Sequence, residues 1–126
     1  MNQLLIAGSV IVTFALISYS VGIIAEQIYR KISLRVLVFV SIGIFLDITA
    51  TVFMITGSPN SPFTLHGFLG YSALAVMLID VVLIWRLKLK SGIGTGVPVK
   101  IHQYSRYAYI WWVIAYITGA LLVILK

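Results

Sequence analysis

The stretch Leu65–Asp80, LHGFLGYSALAVMLID, opens on a histidine, closes on an aspartate and is otherwise apolar enough to cross a bilayer. Counted in helical steps from His66, Gly70, Ala73, Met77 and Asp80 follow at i+4, i+7, i+11 and i+14, so the five share one stripe of a helix. The stripe reads polar, small, small, soft, polar. Its two polar ends lie roughly 21 Å apart at 1.5 Å per residue, a large part of the ~30 Å hydrocarbon thickness. One helix could then serve two sites, one near each membrane face. The plainer alternative makes Gly70 and Ala73 helix-packing residues and His66 an interfacial polar group.

The whole chain agrees with a membrane setting. Of 126 residues, 61% are hydrophobic and 10% charged, with a mean hydropathy of +1.10. The apolar runs are far longer than barrel strands, so the expected class is all-α, an integral membrane four-helix antiparallel bundle in one domain, 1–126. Spans are expected at about 3–25, 36–56, 62–85 and 102–125. The first has no basic start and no small-residue cleavage site, which reads as a span rather than a signal peptide. Between them lie a polar loop, EQIYRKISLR (Glu26–Arg35), an uncharged turn, GSPNSP (Gly57–Pro62), and a Gly-rich loop, SGIGTGVPV (Ser91–Val99), expected to be flexible. Ser61 and Pro62 form a helix-start signal. The Gly-rich loop lacks a following Gly-Lys-Ser/Thr and is no phosphate loop.

With no cysteine, disulfides, thiolate metal sites and cysteine nucleophiles are excluded. The net charge of +6 reads as membrane topology rather than nucleic-acid binding, because the cations cluster. Arg30, Lys31 and Arg35 belong to the first loop. Arg86, Lys88, Lys90, Lys100 and Arg106 lie in or beside the third, and the middle loop has none. The positive-inside rule then puts the first and third loops in the cytoplasm and both termini outside.

That topology sorts the polar residues into layers. His66 and Met54 belong near the outer face; Asp80, His102 and Arg106 belong near the inner one. Asp47 lies mid-span, where an ionisable group marks a functional or paired position. His66 and His102 are therefore on opposite sides and should not ligate one metal. His102, Arg106 and Tyr109 share a face at i, i+4 and i+7. Two readings stand for this inner layer. In one, Asp80 pairs with Arg106 or His102 and the group is structural. In the other, it is a cofactor site with His102 as ligand and Arg106 or Lys100 holding anionic groups. Trp111 and Trp112 lie deeper than an interfacial belt requires, so one can line a pocket.

Three segments, FLDITATVFM (Phe45–Met54), FTLHGFLGYSALAVMLID (Phe63–Asp80) and HQYSRYAYIWWVIAYITG (His102–Gly119), resemble the small four-span bacterial proteins of the heme-sensing membrane protein (HsmA-like) family. The resemblance covers the second to fourth segments. It implies a heme-binding protein of the bacterial plasma membrane, b-type-cytochrome-like, acting in heme handling, redox chemistry or oxidative-stress protection. The implied cofactor is heme b. The residues that carry over are Asp47, His66, His102 and the aromatic face after His102, with His66 and His102 the implied metal ligands; Met54, Met77, Arg106 and Tyr109 stand beside them as cofactor-binding candidates from their positions in the chain. The chain departs from the family at Asp80, where many members carry histidine; carboxylate is a poor heme ligand, which weakens an inner heme.

A second hypothesis uses the intramembrane Asp47 and Asp80 for a small proton- or ion-coupled transporter. Four spans are few for a carrier, so this version expects a homo-oligomer; the halves show no internal repeat. A third makes the chain a non-catalytic structural membrane subunit. The expected partners are the bilayer and heme, with no nucleic acid. No serine–histidine–acid set can be assembled in one layer, so hydrolytic catalysis is not expected and any redox role would be electron transfer through heme.

Overall fold

The computed structural model describes residues 3–57 and 65–124, which form four helices: α1 (Gln3–Tyr29), α2 (Leu34–Gly57), α3 (Leu65–Ser91) and α4 (Val99–Ile124). Each overlaps its expected span but has other ends; residues 62–64 and 125 of those spans lie outside the described residues. α1 continues four residues past Ala25, so Glu26 and Gln27 are helical rather than looped, and α3 runs on through the RLKLK sequence to Ser91. Apolar character stops where charges begin, but a helix stops only where its backbone bonds stop. The Ser61–Pro62 helix start lies outside the described residues.

The helices pack in chain order around a closed ring, α1 on α2, α2 on α3, α3 on α4 and α4 on α1, and each neighbour runs antiparallel. Three of them, over Ile6–Tyr29, Leu34–Thr56 and Gly67–Ser91, are long and apolar enough to cross a membrane. Over its described residues α4 is not counted with these, its first turns carrying Lys100, His102, Gln103, Ser105 and Arg106. Large apolar side chains face outward, such as Phe14 (56% exposed) and Phe45 (69%), as lipid contact requires. Inside is a core of Ala15, Tyr19, Ala73, Met77, Ala108 and Trp112.

α1 and α2 approach closely because small residues face the partner. A Cβ on Gly22 would stand 2.8 Å from Val40 Cγ1, and one on Gly8 would stand 2.8 Å from Met54 Cγ. Gly43 of α2 lies flat against the Tyr19 ring, with which a Cβ would collide.

The Gly-rich loop is ordered by pairing. Lys31 and Gly96 form an antiparallel bridge between the first and third loops. Around it, Ile32 N–H donates to Thr95 O (2.9 Å), Gly94 N–H to Ile32 O (2.6 Å) and Val97 N–H to Arg30 O (3.0 Å). Arg30 Nε adds a bond to Val97 O at 3.1 Å. Gly92 and Gly94 take φ of +86° and +90°, a region costly for other residues, which is why glycine stands at both. Both basic loops thus lie together at one end of the bundle.

Candidate functional site

The chain has three acidic residues, and all three are inside the bundle: Glu26 on α1 (0% exposed), Asp47 on α2 (5%) and Asp80 on α3 (0%). A carboxylate in such a setting needs donors. α4 supplies one to each. His102, Ser105, Tyr109, Trp112 and Tyr116 recur at i, i+3, i+7, i+10 and i+14, one inward stripe about 21 Å long, and every member makes a polar contact across the bundle.

At the basic end, His102 Nδ1 lies 2.7 Å from Glu26 Oε2. Gln27 Nε2 donates to Glu26 Oε1 at 2.5 Å and to His102 O at 3.0 Å. Arg106 Nε donates to Gln27 Oε1 at 2.9 Å, and its Nη2 is 3.4 Å from His102 Nε2. Arginine only donates and a carboxylate only accepts, so these contacts fit an imidazole with its hydrogen on Nδ1 and its lone pair on Nε2.

One turn deeper, Ser105 Oγ donates to Asp80 Oδ1, while Asp80 Oδ2 has no hydrogen-bond partner among the described residues. Tyr104 OH donates to Val76 O beside it (2.8 Å). Deeper again, Tyr109 OH and Ser20 Oγ are 2.6 Å apart. Asp47 Oδ2 then accepts from Trp112 Nε1 (2.8 Å) across the bundle's diagonal and from Tyr19 OH (3.1 Å) on the neighbouring α1. Trp112 meets Tyr19 edge-on at 5.0 Å and stacks on Tyr116 at 5.8 Å. Tyr116 OH closes the series 3.0 Å from Thr13 Oγ1.

The expected residues are distributed unevenly over this ladder. Asp47, Asp80, His102 and Tyr109 are members. Arg106 is exposed at its edge, tied to Gln27 rather than to Asp80. Asp80 pairs with Ser105 and not with a cation, so the expected Asp80–Arg106 or Asp80–His102 pair is not formed; α1 brings Glu26 to His102 instead. Met77 is fully buried core, and Met54 packs on Gly8. Of the α3 stripe, Ala73, Met77 and Asp80 face inward, whereas a Cβ on Gly70 would meet nothing within 4 Å. His66 stands in the first turn of α3, at the opposite end of the bundle from His102; its side chain falls outside the described residues.

Glu26, Ser105, Tyr19 and Gln27 are site residues that the pattern of the sequence did not single out. Among the described residues no group of three or more histidine, aspartate or glutamate side chains is placed to hold a metal ion. No protein-family model, curated protein or solved structure matches the chain.

Proposed function

We propose that this chain is a small proton- or cation-coupled membrane protein whose pathway is the interior ladder of Glu26, Asp80 and Asp47. One observation carries the proposal: every acid in the chain is buried, and among the described residues none of them pairs with a Lys or Arg, Glu26 being met by His102 instead. Intramembrane carboxylates that lack Lys or Arg partners are held by function, since packing alone would favour apolar residues at lower cost. The half-buried His102 is the entry from the basic end, passing protons to Glu26. Asp80, with one oxygen free, is the group that binds and releases. Asp47, clamped by two neutral donors, is the deepest station. α4 crosses with the other helices, its His102–Tyr116 stripe turned inward and Lys100, Gln103 and Arg106 exposed at its basic end. The setting is a bacterial plasma membrane, with the basic end cytoplasmic and both termini outside.

Purified protein in liposomes, under a potassium–valinomycin potential with a trapped pH dye, tests this. Wild type should acidify the lumen above empty vesicles, and Asp80→Asn should slow the flux at least tenfold. Flux no greater than in empty vesicles, or flux indifferent to both Asp80→Asn and Asp47→Asn, would sink it.

A heme-binding role is a second reading, favoured by the contact of His102 Nδ1 with the Glu26 carboxylate. A carboxylate on Nδ1 is the usual support of a metal-ligating imidazole and leaves Nε2 as the coordinating atom. Arg106 would have to leave Nε2, which frees it for an anionic edge of the cofactor. Heme would supply one-electron transfer. His66 and His102, at opposite ends, cannot flank one macrocycle. A Soret band in protein purified with heme supplied, lost in His102→Ala, supports this role; a flat spectrum removes it.

A further inference from the structure

The interior ladder leaves unused a groove on the outer surface between α2 and α3, beside the paired loops. It has a volume of about 400 Å³, within the range of ligand clefts. Leu37 lies beneath it; Val38, Ser41 and Ile42 form one wall, Trp85 and Lys88 the other, and Ile93 of the third loop closes the basic end. Its surface is almost wholly apolar, with one charge at the rim. The Trp85 indole is held by Nε1–H donation to Ser41 Oγ at 2.8 Å, and the Lys88 ammonium stands 5.8 Å from the Trp85 ring centroid.

We propose that this groove binds an anionic phospholipid, with its phosphate on Lys88 and one acyl chain along Val38 and Ile42. Charge complementarity selects the occupant. A free anion would find one ammonium and a single serine hydroxyl in an otherwise apolar trough, while a zwitterionic lipid brings its own cation beside the phosphate and leaves the Lys88 charge uncompensated. A lipid with a negative headgroup satisfies both halves. The direction agrees as well: Lys88 lies towards the basic end and the trough runs inward from it along α2, as a lipid of the cytoplasmic leaflet would lie. The cation over the indole face is already oriented, so little side-chain freedom is lost on binding. The site is independent of the proton pathway, because none of its residues belongs to the ladder.

Native mass spectrometry of the detergent-purified protein, with equal amounts of phosphatidylglycerol and phosphatidylcholine, tests the site. Wild type should retain one phosphatidylglycerol in preference to phosphatidylcholine by about tenfold. Lys88→Gln should abolish the preference, and Lys90→Gln, an exposed lysine outside the groove, should preserve it. Val38→Trp should reduce retention of phosphatidylglycerol by filling the trough without touching the charge. Equal retention of the two lipids by wild type, an unchanged preference in Lys88→Gln, or full retention in Val38→Trp would each overturn the assignment.

Discussion

Asp47 shows how one residue ties three helices. Its Oδ2 takes the hydroxyl of Tyr19 from α1 and the indole N–H of Trp112 from α4. Removing it in Asp47→Ala orphans two buried donors. Such a loss costs roughly 1–3 kcal/mol per group in soluble proteins, but hydrogen bonds between membrane helices average about 0.6 kcal/mol, since the chain unfolded within the bilayer also finds partners. The smaller figure governs here. Asp47→Ala should lose about 1–2 kcal/mol in detergent unfolding, and Asp47→Asn, which keeps an acceptor, should lose less. Asp47, Asp80 and His102 were legible as isolated polar groups in apolar runs. Glu26 was not, because it opens a charge-dense segment that resembles a loop. Ser105 was not, because a lone serine in a helix carries no signal until its partner is known.

At the scale of elements, the α1–α2 contact and the free side of α3 respond oppositely to the same substitution. Gly43→Ala places a methyl against the Tyr19 ring, which Trp112 already pins edge-on. Overpacking of this kind costs about 1–3 kcal/mol, and the Tyr19–Asp47 bond should weaken with it. Gly70→Ala meets open space and should be neutral or stabilising by up to about 1 kcal/mol, from the gain in helix propensity. Unfolding of both variants in one detergent is the check. Gly94→Ala, at φ +90°, should destabilise the loop pairing. The four helices were legible from hydropathy, but α1 and α2 are apolar nearly all round, so their inner faces were hidden. Gly8, Ala15 and Gly22 do recur every seven residues, a packing signature that only the partner helix makes readable. On α4 the spacing of His102, Ser105, Tyr109, Trp112 and Tyr116 was open to reading, yet the i+4 choice of Arg106 drew the face one residue off.

For the whole molecule, the decisive charge feature is that all Lys and Arg except Lys126 lie at or near one end. Because the chain has no cysteine, single cysteines report topology directly. Thr95→Cys should resist an impermeant maleimide in intact cells and react after permeabilisation, and Asn60→Cys should react in both. The opposite pattern would invert the protein and reverse the direction of the proposed pathway. That the basic residues gather in the first and third loops was legible from the sequence. Their pairing was not, since glycine-rich sequence signals freedom and backbone bonds leave no side-chain trace.

That pairing also divides the chain into two halves that recognise each other. The α1–α2 hairpin meets the α3–α4 hairpin through the Lys31–Gly96 bridge, Glu26 with His102, Ser20 with Tyr109 and Thr13 with Tyr116. Each hairpin offers half of a complementary surface, so the polypeptide is divisible. Expressed as two separate peptides cut between them, the halves should find one another in the bilayer and restore the intact assembly, as a split reporter does.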